Sequence, residues 1–255
     1  MGKDEINKII EDKFEKGNCG VVIPIQQDGP TCGCYAAKMA INAIIGIDNI
    51  ITADQIIEIA KNNGYSALGE MFSASLLVKT INVIFAQNKI NNNPGISKYD
   101  VIAMEQSIGG IDECRYYLEA ARNRGVMILM PYYAGNINDY KPTELSKIQP
   151  DPNNMSNAHW AVVQYVNNDS AKIYESGSCT EINCALESLY KSNSSLGNEF
   201  SWDGYLKIHP EKEKEVEEWG KKYNKDIRKV KAELNGKIIL IGIKKKVINH
   251  SCNII

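Results

Sequence analysis

Apolar residues recur at helical spacing through the first half of the chain and gather into short unbroken runs in the second. Residues 3–16 put Ile6, Ile9, Ile10 and Phe14 on one side of a helix. Cys19 to Gln27 reads as an extended segment, and Asp28-Gly29-Pro30 as a turn. From Cys32, the run CGCYAAKMAINAIIG predicts a buried helix ending near Gly46. Thr52 with Gln55 makes a capping box ahead of another helix, and helical pattern returns around residues 73–88 and 111–124. Beyond Gly125 the period changes. VMILMPYY (126–133) predicts a buried strand, and residues 134–157 a long polar loop of the kind that often carries function. HWAVVQYV (159–166) predicts a second strand. Asn167-Asn168-Asp169 turns it into AKIYE (171–175), giving a β-hairpin. A charged helix over about 210–234, with Val216, Trp219, Tyr223 and Ile227 facing inward, precedes a last strand at 237–243. There is no internal repeat. Helices first and strands second predict an α+β fold, with one domain over residues 1–255. Its helical lobe covers about 1–124, its sheet lobe about 125–245, and its tail 246–255.

Composition narrows the function more than the fold. Hydrophobic residues make up 44% of the 255 residues, enough for a sizeable core. The net charge of -2 lacks the basic surplus of a nucleic-acid binder, so no nucleic-acid partner is expected. The first seventeen residues mix charged and apolar positions and read as neither a signal peptide nor a membrane span. The seven cysteines are then expected to be reduced thiols in a cytoplasm.

The candidate chemistry follows by elimination. Of three histidines, His250 lies in the tail and His209 precedes Pro210, whereas His159 opens a strand directly after the long polar loop. A cysteine nucleophile needs a base beside it to hold the thiolate, and His159 is the candidate. Cys32 follows a Gly-Pro-Thr turn and opens an apolar helix. Partial positive charge and unpaired N–H groups at a helix N-terminus stabilise both a thiolate and a developing oxyanion. Gln27, or alternatively Gln26, offers an amide donor to the same oxyanion. Cys34 is the alternative nucleophile, although positions two apart on a helix face different sides. Glu175, sixteen residues after His159 on the partner strand, is the candidate to orient the imidazole. Cys32, Cys34 and His159 are residue types that can ligate zinc. C-x-C is poor zinc spacing, so neither a metal nor another cofactor is expected.

These residues carry a family resemblance. QDGPTCGCYAAKMA (27–40) resembles the nucleophile segment of C39-like papain-fold peptidases, most closely that of the actin maturation protease group, with its Gln-x-Gly-Pro-x-Cys-Gly opening. YYLEAARNRGVMILMPYY, a long polar loop and AHWAVV (158–163) follow in the order seen in that group. The resemblance covers about residues 20–175. It implies a two-lobed papain-like fold with a cleft between lobes, Cys32 as nucleophile, His159 as base and Gln27 as oxyanion donor. Glu175 stands where many papain-like enzymes have Asp or Asn. The expected function is therefore a thiol peptidase acting on a protein or peptide, with removal of an acetylated N-terminal residue from actin as the substrate the resemblance implies. The same thiol site would also serve a glutamine deamidase, transglutaminase or acyltransferase, and a non-cutting papain-like binding module is the third reading.

The C-terminus adds one more expectation. Cys252 is fourth from the end, as in a prenylation box, downstream of Lys244-Lys245-Lys246. A prenyl chain plus a basic patch would make a peripheral membrane anchor. Asn253 and the terminal Ile255 fit that box poorly. Such an anchor would place the protein in a eukaryotic cytoplasm, as a host protein or as a delivered microbial effector.

Overall fold

A computed structural model describes residues 1–46, 51–90, 98–134 and 158–246. Four helices come first: α1 (Lys3–Lys13), α2 (Cys32–Ile45), α3 (Ala53–Asn62) and α4 (Ala74–Ile90). Strand β1 (Val101–Ser107) and α5 (Ile111–Arg124) follow, then strands β2 (Met127–Tyr133), β3 (Ala158–Asn167), β4 (Ser170–Glu175) and β5 (Thr180–Ala185). The chain closes with α6 (Leu186–Ser194), β6 (Glu199–Phe200), α7 (Asp203–Ile208), α8 (Glu213–Tyr223), β7 (Val230–Lys231) and β8 (Lys237–Ile243). The fold is mixed α/β, with eight α-helices among the described residues and a six-stranded antiparallel sheet in the order β1-β8-β2-β3-β4-β5.

Alternation along the strands sorts the core into two clusters. Leu129, Trp160, Val162, Tyr174, Ile239 and Ile241 point to one face, beneath α2, α3 and α4. Ile128, Met130, Ala161, Val163, Ile173 and Leu240 point to the other, beneath α1, α5 and α6. Helices therefore cover both faces, so all seven residues of β2 are buried. This is why β2 reads as a continuous apolar run and not as an alternation.

Three features differ from the sequence expectation. Strand β1 falls between the two helical patterns at 73–88 and 111–124, within the part read as a helical lobe, and pairs with β8 at the far end of the chain. Strand β5 and helix α6 follow the hairpin where no element was expected. The charged helix is shorter than 210–234: it ends at Tyr223 because Asn224 adopts a left-handed conformation at φ 52°. Val216 and Trp219 are buried as expected, whereas Ile227 packs from beyond the helix. The polar stretch 135–157 lies outside the described residues.

Helix α6 matters to the site. Strand β8 pairs with β2 only over Met127–Leu129, so the half of β2 that carries Pro131 runs beyond that ladder. A proline, which lacks an N–H, fits there. The buried Asn193 and Ser192 of α6 take over the exposed edge. Asn193 Nδ2 donates to the Pro131 carbonyl at 2.8 Å. Ser192 Oγ accepts from the Tyr133 N–H at 2.8 Å and donates to the Tyr133 carbonyl at 3.1 Å. Between these anchors Tyr132 stands opposite His159, with its ring edge-on to the imidazole at 5.7 Å.

Candidate active site

Helix α2 begins at Cys32 because the preceding turn leaves it no other start. Gly29 takes a left-handed φ of 63°, and Thr31 turns its hydroxyl back to the Asp28 carbonyl at 2.5 Å. Thr31 therefore caps no helical N–H with its side chain. The first turn keeps its unpaired donors and their partial positive charge at Cys32. Gly33 lets this end of the helix sit tightly on the sheet. A Cβ there would come within 2.9 Å of Met71 Cβ and 3.1 Å of Trp160 Cδ1. The buried Trp160 is tied in turn through its indole N–H to the Met71 carbonyl at 2.8 Å.

His159 precedes Trp160 on β3, so the packing that anchors the indole sets the imidazole beside Cys32. Burial pushes the half-buried Cys32 thiol up. The charge and hydrogen bonding of His159, with the N–H groups of Trp160 and Gly33, outweigh it and bring the thiol below its ordinary value. The imidazole mirrors this. Burial pulls it down, but the Cys32 sulfur and the Glu175 carboxylate together raise it to about 10. A thiolate–imidazolium pair is the favoured state across neutral pH.

Glu175 completes the chain of contacts. It pairs across the hairpin with Ala161, two residues along β3 from His159. A one-residue irregularity between Tyr165 and Asn167 sets that register. The small Ala161 lets the carboxylate reach diagonally, and Glu175 Oε2 lies 3.1 Å from His159 Nε2. That leaves Nδ1 as the ring nitrogen for Cys32. Glu175 is 2% exposed, and burial pushes its carboxyl up. Hydrogen bonds from His159 and Ser178, and the imidazolium charge, outweigh this and hold it at about 2.

Gln27 is half-buried and held at three points. Its N–H donates to the Ser176 carbonyl at 2.9 Å, its Oε1 accepts from Ser176 Oγ at 2.6 Å, and its Nε2 donates to the Gly29 carbonyl at 2.8 Å. An amide nitrogen has two hydrogens, so one remains for a ligand. Gln26 is exposed and donates to the Gly177 carbonyl at 2.6 Å. Cys34, the alternative nucleophile, is fully buried and donates to the Gly69 carbonyl at 3.3 Å. Burial first, then the neighbouring Cys32 and Glu70, push its thiol well above the ordinary value, so the thiol beside the imidazole is Cys32. Cys252 lies outside the described residues. Lys244, Lys245 and Lys246 are exposed, with their backbone N–H groups bonded to Asp100, Lys13 and Glu15. Among the described residues, no group of three or more His, Cys, Asp or Glu is placed to hold a metal.

Residues 22–166 match the family described as actin maturation protease-like, C-terminal domain. That is more than half of the chain, and it includes both Cys32 and His159. The chain belongs to the actin maturation protease-like family. Within that family it is similar to the actin maturation protease of Mus musculus, with 29% identity over 86 residues. The similarity covers 31% of this chain and only 24% of the mouse protein, so the chain matches about a quarter of that relative's length. The family match ends on β3, before strand β4, which carries Glu175 at its end.

Sequence reading passed over two groups. Ser178 and Thr180 follow Glu175 in a polar ESGSCT run that reads as an ordinary turn. Glu70 is buried near the Cys34 thiol and accepts from Ser66 Oγ, the Ala67 N–H and the Leu68 N–H at 2.7–2.8 Å. Burial pushes its carboxyl up to about 7 against those bonds. Only the burial of Glu70 marks it out, and a sequence does not display burial of a single acid.

Proposed function

We propose that this protein is a cysteine peptidase acting on a protein substrate, breaking the peptide bond that releases an N-terminal residue of actin. The observation that carries the reading is the unbroken line from Cys32, at an uncapped helix start, through His159 to a buried Glu175. The family name and the mouse relative support a protease that acts on actin. The fold we assign is a single papain-like domain of the C39 type, its cleft formed where the start of α2 meets β3.

In the proposed reaction the Cys32 thiolate attacks the substrate carbonyl carbon. The oxyanion is met by the free Gln27 amide hydrogen and the N–H groups at the start of α2. The C–N bond breaks, and the His159 imidazolium gives its proton to the leaving amine. His159, now neutral, takes a proton from water as the water attacks the thioester. The thiolate leaves, the acid product departs, and the imidazolium is restored. Glu175 touches no reacting atom in this scheme; it orients the ring and stabilises its cationic form.

Incubation of the purified full chain with N-terminally acetylated actin, followed by intact-mass measurement of the actin, tests the substrate. The expected outcome is loss of one acetylated N-terminal residue with the wild type and no loss with Cys32→Ala. An unchanged actin mass, with ammonia release or acyl transfer in its place, would move the same thiol to a different acceptor and remove actin cleavage.

A further inference from the structure

The Glu175 carboxylate is served by more groups than an orienting role alone requires. Its two oxygens divide the work. Oε2 faces His159 Nε2 at 3.1 Å and also accepts from the Gly177 N–H at 2.7 Å. Oε1 does not touch the imidazole. It accepts from the Ser178 N–H at 2.9 Å, from Ser178 Oγ, and from Thr180 Oγ1 at 3.1 Å. The two hydroxyls also contact each other at 2.8 Å. Thr180 can thus donate either to the carboxylate or to Ser178, which donates onward.

A carboxyl group buried to this degree would ordinarily become neutral, because burial penalises the charged form. A neutral Glu175 would deprive the imidazolium of its counter-charge and so remove the partner of the thiolate. Among the described residues one cation, His159, faces the acid within hydrogen-bonding range, and the other donors come from residues 177–180 of the turn between β4 and β5. Gly177 permits the tight wrap: a Cβ there would lie 3.0 Å from Glu175 Oε2 and 3.4 Å from His159 Cε1.

We propose that Ser178 and Thr180 are positioning residues whose hydroxyls keep Glu175 ionised and aimed at His159. The β4–β5 turn, outside the span shared with the family, thereby sets how strongly the Cys32–His159 pair is polarised. The inference rests on the nucleophile reading above. Without the two hydroxyls on Oε1 the carboxylate can turn from Nε2 or take up a proton, so the imidazolium loses its counter-charge and gives up its proton at lower pH. The thiolate, with a weaker partner, gains its proton at higher pH. The pH range over which Cys32 is reactive narrows from both ends.

The test is the pH dependence of iodoacetamide alkylation at Cys32, quantified by peptide mapping so that the exposed Cys179 does not interfere. The full-length wild type is compared with a Ser178→Ala/Thr180→Val double variant. Wild type should show a reactive plateau through neutral pH. In the double variant the acid limb should move upward, slowing alkylation on that limb by about tenfold, the change that one pKa unit gives. The hydroxyl-retaining Ser178→Thr and Thr180→Ser should restore the wild-type profile, which a merely structural role for the turn would not require. If the double variant does not fold, each single variant should show a smaller shift in the same direction. A variant profile superimposed on a wild-type plateau would overturn the proposal while leaving the nucleophile reading intact. A wild-type Cys32 that titrates as an ordinary thiol would overturn both.

Discussion

Cys32→Ala should abolish substrate cleavage, by a factor on the order of 10⁴ or more, and should leave the melting temperature close to that of wild type. On the proposed reading the thiol is the attacking group, because Cys32 is the cysteine that hydrogen-bonds His159. Cys34 has its thiol proton committed to the Gly69 carbonyl and its sulfur fully buried. Cys19 is pushed up to about 11 by burial, and Cys114 and Cys184 to about 12, so none carries thiolate at neutral pH. The matched control is Cys34→Ala. It should keep the rate within a few-fold while losing about 1–2 kcal/mol of stability, because it opens a small void beneath the loop that carries Met71. Cleavage assays and thermal melts on the two variants separate the roles. A Cys34→Ala protein as inactive as Cys32→Ala would show that the two cysteines have been assigned the wrong way round.

Glu175→Gln should lower turnover by about 10²-fold through loss of the counter-charge and of the preferred imidazole orientation. The side chain keeps its size, but one of its two acceptor atoms becomes a donor. The Gly177 and Ser178 N–H groups and the His159 ring then compete for a single carbonyl oxygen, or face an NH₂ group directly. Leaving one such buried donor unpaired costs about 1–3 kcal/mol. The pH dependence of stability should change as well. The Glu175 carboxyl is depressed from an ordinary 4.5 to about 2 in the folded protein. Its ionisation therefore stabilises the fold fully above 4.5, and that stabilisation is lost as pH falls toward 2. The wild type should lose stability over that interval through this group, and Glu175→Gln should lack that part of the loss. Thermal melts between pH 2 and 6 check it. Parallel acid profiles for the two proteins would mean that Glu175 is not held as an anion.

Much of this site can be read from local sequence, because its parts are local devices. A Gly-Pro-Thr turn before an apolar run marks the start of α2. The Asn-Asn-Asp turn sets a hairpin register that brings Glu175 near His159. The register is diagonal, with Ala161 directly opposite Glu175, and counting residues alone does not reveal that. What escaped is what depends on distant partners. Strand β1 carries Glu105, Gln106 and Ser107 at its end and pairs only with β8, more than a hundred residues away. Neither apolar run length nor a nearby turn announces it. Strand β5 does alternate, with Ile182 and Cys184 buried and Glu181 and Ala185 exposed, but six residues of period two beside a polar turn are a weak signal. The donors on Glu175 escaped for a similar reason. Ser178 and Thr180 are ordinary turn residues until the carboxylate they surround is known to be buried. The division into a helical and a sheet portion at residue 124 overlooks how α1 and α5 pack on one sheet face while α2 to α4 pack on the other.

In the proposed reaction acyl groups pass through the Cys32 sulfur. The most direct measurement mixes the full chain with p-nitrophenyl acetate, quenches the reaction in acid, where thioesters persist, and maps the acetylated residue by mass spectrometry. Rapid acetylation at Cys32 is expected in the wild type, none at that position in Cys32→Ala, and strongly slowed acetylation in His159→Gln. Acetylation confined to the exposed Cys179, or a Cys32 whose rate does not depend on His159, would contradict it.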